Sequence, residues 1–146
     1  MFKSAILGCR GRARAHAKAY QDITVGKLAS ICDMSEERLH EFGDMFDINQ
    51  RYTDIHEMLE KEKPDLLHIV TAPILRGTMQ FIRYPLMNIA SEYKVPGVII
   101  EKPIAVMGED WRLSLIHISE PTRPLYISYA VFFLKKKRGG GGGGGG

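Results

Sequence analysis

The chain has 146 residues, a length suited to a single domain, with 20 basic and 17 acidic residues and a formal net charge of +3. Five of the twenty basic residues and one of the seventeen acids lie beyond Arg112, leaving fifteen against sixteen before it, a net of −1, so charge argues for neither a nucleic-acid nor a membrane partner. No stretch approaches the roughly 20 apolar residues of a membrane-spanning helix. Met1-Phe2-Lys3 leads straight into a strand-like run without a cleavage site. Cys9 and Cys32 read as reduced, buried thiols, and a cytoplasmic protein is expected.

Taken in chain order, strand-type and helix-type runs alternate, which predicts a parallel sheet covered by helices, a doubly wound Rossmann-type α/β fold. Ser4 to Leu7 is a short apolar run ending at Gly8, and Gly11 to Gln21, rich in Ala, Arg and Lys, reads as the helix that follows. Lys27 to Cys32 is a second strand ending at Asp33. Ser35 is a candidate N-cap for a helix to about Phe46, with Glu36 and Glu37 in its first turn. A short strand is expected near Gln50 to Tyr52, followed by a helix opened by Asp54 and Glu57 and closed before Pro64. Leu66 to Val70 is a continuous apolar run broken only by His68. Gly77 to Tyr93 has helical periodicity, with Pro85 expected to kink or restart it. Val98 to Ile100 is a fifth strand, running into Glu101-Lys102-Pro103.

The chemistry concentrates where the first strand meets the first helix. Gly8-Cys9-Arg10-Gly11-Arg12-Ala13 sits where a dinucleotide pyrophosphate needs a tight turn, close backbone approach and the positive end of a helix. Gly8 supplies the turn, Gly11 the approach, and Ala13 the small residue that lets helix and strand pack. Arg10 occupies the usual second-glycine position, where it either crowds the pyrophosphate or swings outward and pairs with it. Asp33, 22 residues after Gly11 at the end of the second strand, is placed either to accept the adenosine ribose hydroxyls or to cap the next helix. An acid there opposes a 2′-phosphate, which favours NAD, with NADP kept open. His16 reads as a packing or hydrogen-bonding residue, His68 as a satisfied core histidine, and His40 and His56 as solvated. No grouping of His, Cys, Asp and Glu has metal-ligand spacing, and none forms a nucleophilic triad.

Three motifs in this order resemble the glucose–fructose oxidoreductase / inositol dehydrogenase (Gfo/Idh/MocA) family over residues 2 to about 108. They are Gly8 to Ala13 with the following Arg14-Ala15-His16, Lys63-Pro64-Asp65 leading into Ile69-Val70-Thr71-Ala72-Pro73, and Val98-Ile99-Ile100-Glu101-Lys102-Pro103. Arg76 departs from the pattern, since many members carry histidine there. The resemblance implies NAD(P)-dependent oxidation or reduction of a sugar, polyol or related small molecule. It adds Thr71, Ala72, Pro73, Glu101 and Lys102 to the cofactor contacts, and gives Lys102, with Glu101 beside it, the catalytic position. An ammonium there stabilises negative charge developing on a carbinol oxygen. Alone, Lys102 would read as a surface lysine before a turn-forming proline. The resemblance also implies a second α/β domain that forms the substrate pocket and the homo-oligomer interface and carries an Asp-x-x-x-His acid/base motif.

Nothing after Arg112 supplies that domain. Leu113 to Arg123, Leu-Ser-Leu-Ile-His-Ile-Ser-Glu-Pro-Thr-Arg, matches codon by codon the translation of a transposase-type DNA-sequencing adapter. Ile127 to Leu134 continues the match except at Phe133, and the lysine and glycine runs follow as poly-A and poly-G. Residues 1–112 are therefore expected to be a truncated dinucleotide-binding domain of about five strands, and 113–146 a non-native, unstructured tail. On this reading the fifth strand is an exposed edge and the chain by itself lacks dehydrogenase activity, although its full-length parent is an enzyme. Two alternatives stay open: a non-catalytic NAD-binding or sensing module, and a tail that tethers the chain to membrane or nucleic acid through Lys135 to Arg138.

Overall fold

A computed structural model describes residues 1–72, 83–101 and 129–133. Its strands are β1 (Phe2–Leu7), β2 (Gly26–Cys32), β3 (Gln50–Tyr52), β4 (Leu66–Ile69), β5 (Gly97–Glu101) and β6 (Tyr129–Phe133). The helices are α1 (Gly11–Ala19), α2 (Glu36–Met45), α3 (Ile55–Glu62) and α4 (Arg83–Glu92). The sheet order is β3-β2-β1-β4-β5-β6. The first five strands are parallel. This is the doubly wound arrangement, and its topological switch point lies between β1 and β4, where ligands of open α/β sheets bind.

Alternation along the strands gives the sheet two apolar faces. Ala5, Leu7, Leu67, Ile69, Val98 and Ile100 point to one side and pack with Met58 and Leu59 of α3 and Met87 and Ala90 of α4. Ile6, Ile31 and Val70 point to the other, against Ala13 and Ala17 of α1 and Leu39 and Phe42 of α2. Buried strands covered on both faces read as apolar runs rather than as alternating polar and apolar residues, which is why β1, β4 and β5 are legible in the sequence.

The helix ends follow local chemistry. The Ser35 hydroxyl accepts from Arg38 N–H at the start of α2, and Asp54 accepts from His56 N–H at the start of α3. Lys63 terminates α3 in the left-handed conformation at φ 46°, immediately before Pro64, which disfavours a helical residue ahead of it. Pro85 lies in the first turn of α4, where its missing N–H has no partner to lose. Residues 77–82 of the expected fourth helix lie outside the described residues.

The expectation of an unstructured tail and an open β5 edge is corrected at one place. Tyr129–Phe133 pairs with β5 as an antiparallel strand, with Ile99 opposite Val131. The physical reason is the edge itself. Without a neighbour the outer side of β5 would present a row of unpaired N–H and C=O groups, and Tyr-Ala-Val-Phe-Phe is an apolar, strand-prone segment that pairs with them.

Candidate functional site: the β1–α1 turn and the ends of β2, β4 and β5

Gly8 adopts φ +100°. A Cβ on it would lie 2.8 Å from Thr71 N and 2.9 Å from Val70 C. Only glycine fits both demands, and its turn brings the β1–α1 loop against the loop that leaves β4. Ala13 is fully buried, while Arg10, Gly11 and Arg12 are exposed. A Cβ on Gly11 would meet nothing within 4 Å, so the space above the helix start is open. Arg10 caps α1 in an extended conformation, φ −95°, which any residue adopts, so the departure from glycine brings no backbone strain. No side chain caps α1 and no acid stands in its first turn. The helix end thus presents positive dipole and flanking arginines towards open space, which suits a pyrophosphate.

Cys9 lies beneath this turn. Its backbone N–H donates to Asp33 Oδ2 at 2.8 Å, tying the glycine loop to the end of β2. Burial, then the nearby Asp33 and Cys32, push the Cys9 thiol up to about 12. Burial, then Asp33, Asp54 and Glu57, do the same for Cys32. Both are free thiols, protonated at neutral pH and therefore poor nucleophiles.

Asp33 is 5% exposed. Besides Cys9 it accepts from Ser35 N–H at 2.8 Å and from Arg38 through Nη2 at 2.9 Å and Nε at 3.3 Å. Burial raises its pKa, but the hydrogen bonds from Arg38, Cys9 and Ser35 outweigh that and hold the carboxyl below its ordinary value. Arg38 is a residue that sequence reasoning missed. It stands five positions beyond Asp33, across a cap, where no helical or strand spacing marks a pair.

A second polar cluster reaches the end of β5. His16 Nε2 lies 2.8 Å from Glu101 Oε1, His16 Nδ1 lies 2.9 Å from His68 Nδ1, and His68 Nε2 lies 2.7 Å from Tyr20 Oη. Between His16 and Tyr20, a neutral His68 donates through one ring nitrogen and accepts through the other. Burial, then His16, push His68 down to about 3, so it stays neutral. His68 is the satisfied core histidine expected, and His16 hydrogen-bonds as expected. Tyr20 carried no sequence expectation, although Ala13, His16, Ala17 and Tyr20 recur at i, i+3, i+4 and i+7, the spacing of one helix face.

The structure thus brings Gly8, Cys9, Arg10, Gly11, Arg12, Ala13 and Thr71 to one place at the switch point, with Asp33 bonded beside it. Ala72 follows Thr71 and is half-buried. Glu101, buried at the end of β5, joins through His16. Pro73 and Lys102 lie outside the described residues. Among the described residues, no group of three or more His, Cys, Asp or Glu could hold a metal ion, and no helix is long and apolar enough to cross a membrane.

A glycine turn at the switch point of a 3-2-1-4-5 parallel sheet, opening onto an uncapped helix, defines a dinucleotide-binding Rossmann domain. The chain belongs to the Gfo/Idh/MocA oxidoreductase family, whose NAD-binding Rossmann-fold model matches residues 2–120. Among curated proteins it is 32% identical to a D-apiose dehydrogenase of Paraburkholderia graminis over 127 residues, covering 86% of this chain and 32% of that protein. It is 34% identical to a D-apiose dehydrogenase of Rhizobium rhizogenes over 103 residues, covering 70% of this chain and 28% of that one. The chain therefore spans about a third of the length of these relatives. Among solved structures, an oxidoreductase from Agrobacterium radiobacter in complex with NAD+, L-tartaric acid and magnesium superposes with TM-score 0.68 at 29% identity, over 78% of this chain and 31% of that one. The scyllo-inositol dehydrogenase of Lactobacillus casei with bound NAD(H) and scyllo-inositol shares the fold, with TM-score 0.66 at 18% identity, over 78% of this chain and 32% of that one. The family match runs past Arg112 into the segment that resembles adapter.

Proposed function

We propose that this chain is the cofactor-holding part of an NAD(P)-dependent oxidoreductase that acts on a sugar, polyol or related small molecule. The observation that carries the reading is the Gly8 turn, pressed on Thr71 at the switch point, with open space above Gly11. The residues present fit a dinucleotide. Gly8 and Gly11 let backbone approach the pyrophosphate, the start of α1 and Arg10 and Arg12 face its charge, and Asp33 and Arg38 stand at the ribose end. When bound, the nicotinamide supplies the hydride acceptor or donor.

The chain's own contribution to chemistry lies at the end of β5. Glu101 is held by His16, and Lys102 is the next residue in the sequence. Lys102 is the group we assign to stabilising charge on the carbinol oxygen, with Glu101 beside it. The acid/base that takes the carbinol proton, the substrate pocket and a homo-oligomer interface are assigned to the share of the relatives' length that this chain does not span. Residues 113–146 are assigned no functional role. The antiparallel sense of β6 fits that assignment, because it needs only a strand-prone segment meeting an open edge. Its pairing and the family match to residue 120 weigh on the other side.

Titration of the 146-residue chain with NADH, followed by the enhancement and blue shift of nicotinamide fluorescence, tests the site. Saturable binding that Gly8→Ala abolishes is expected. A chain that stays folded and gives no saturable signal would overturn the proposal.

A further inference from the structure

The hydrogen bonds that run from Tyr20 to Glu101 admit two complete proton arrangements. Only one hydrogen fits between the facing nitrogens His16 Nδ1 and His68 Nδ1, 2.9 Å apart. In the first arrangement it belongs to His68, and Tyr20 O–H donates to His68 Nε2. His16 is then neutral and donates through Nε2 to the Glu101 carboxylate. In the second it belongs to His16, which carries a proton on each nitrogen and a positive charge. His68 then donates through Nε2 to Tyr20 Oη, and the phenol needs a new acceptor. Ser4 of β1 supplies it. This residue is fully buried, and its hydroxyl has no hydrogen-bond partner among the described residues. Burial raises the Tyr20 phenol, and the Ser4 hydroxyl beside it lowers it. The two arrangements differ by one proton, which enters at the half-buried Tyr20. As the phenol takes it up, the phenol's own proton passes to His68 Nε2, and that of His68 Nδ1 passes to His16 Nδ1. The titratable groups facing His16 among the described residues are Glu101 of β5 and His68 of β4, with Tyr20 beyond His68. His68, pushed down to about 3, holds no charge near neutral pH. Among the described residues, Glu101 and His16 therefore set the charge at the end of β5.

We propose that His16, by taking up this proton, makes the balance between oxidised and reduced nicotinamide binding depend on pH. The proposal rests on the dinucleotide reading above and deepens it. The half of a dinucleotide away from Asp33 lies across the switch point, over β4 and β5, and Glu101 ends β5 on that side. With His16 neutral, the Glu101 charge attracts the cationic ring of NAD+ and not the uncharged ring of NADH. With His16 protonated, the pair is neutral and that preference is lost. The pyrophosphate is common to both nucleotides, so its attraction to the charges of α1 cancels in their ratio.

The test measures NADH binding to the 146-residue chain by nicotinamide fluorescence, and NAD+ binding by displacement of NADH, between about pH 6 and pH 8.5, across the titration of an imidazole. The ratio of the NAD+ Kd to the NADH Kd is expected to fall by about threefold or more as pH rises. His16→Gln keeps an N–H for Glu101 and cannot take the proton, so its ratio should stay level. Ser4→Ala, at the far end of the run, removes an acceptor that only the second arrangement needs. Its ratio should equal that of the unaltered chain at pH 8.5, with the fall displaced to lower pH. A run that serves folding alone would weaken both nucleotides together and leave every ratio level. If His16→Gln binds neither nucleotide, Ser4→Ala decides. A level ratio in the unaltered chain, an equally steep one in His16→Gln, or a profile that Ser4→Ala does not displace overturns the proposal. Failure of the unaltered folded chain to bind either nucleotide would instead remove the dinucleotide site itself.

Discussion

Two residues set the molecule's tolerance at its functional end. Gly8 combines φ +100° with a neighbour 2.8 Å from where a Cβ would sit, so Gly8→Ala is expected to cost about 2 kcal/mol or more. A urea denaturation midpoint unchanged by the substitution would show that the turn is not under this constraint. His68 makes stability depend on pH. Its folded pKa is about 3 against an ordinary value of 6.5. Between those values the unfolded chain holds a proton that the folded chain lacks. Stability should therefore fall as pH falls through this window, by up to about 1.4 kcal/mol per pH unit. Asp33 adds a loss of the same sign only below its ordinary value of 3.8, because its folded pKa is lowered. Denaturation midpoints measured between pH 7 and pH 5 should drop for the unaltered chain and stay nearly level for His68→Gln. Equal slopes would place the titration elsewhere. Gly8, Gly11 and Asp33 were legible in the sequence because turn chemistry and strand ends are local signals. The partners of Asp33 and His68 were not. Tyr20 and His68 are 48 residues apart, and Arg38 meets Asp33 across a cap where periodicity is broken.

Among the elements, β1 through β5 matched their sequence signals to within two residues at each end, since apolar runs closed by Gly, Asp or Pro leave little freedom. β6 was not anticipated, because its partner, the edge of β5, lies about thirty residues away and leaves no local mark on the sequence. Val131 pairs opposite Ile99, and proline removes a ladder donor and fits poorly within a strand. Val131→Pro is expected to leave NADH binding within about twofold while exposing β5 and increasing self-association, measured by size-exclusion chromatography with light scattering. Loss of NADH binding would mean that β6 supports the site and would count against assigning it no function. α1 differs from the other helices. Its buried residues are the alanines Ala13 and Ala17, so it sits close to the sheet with little apolar bulk, and its hold is largely polar, through His16 and Tyr20.

For the molecule as a whole, a chain about a third the length of its relatives should separate binding from turnover. Incubated with NAD+ and a panel of sugars and polyols, it is expected to bind cofactor and produce no NADH above background. Steady NADH production would show that residues 1–146 contain a complete catalytic apparatus. The coding DNA gives an independent check, since codons from Leu113 onward that differ from adapter sequence would return the tail to the protein. Tyr20, His68, His16 and Glu101 form one continuous run of hydrogen bonds. Replacing one strands its neighbour's donor or acceptor in the interior. The outermost two of these four positions, His16 and Glu101, are 85 residues apart in the chain, so one polar run couples α1 to the ends of β4 and β5. A substitution in α1 is therefore felt at the end of β5, although the two elements are not neighbours in sequence.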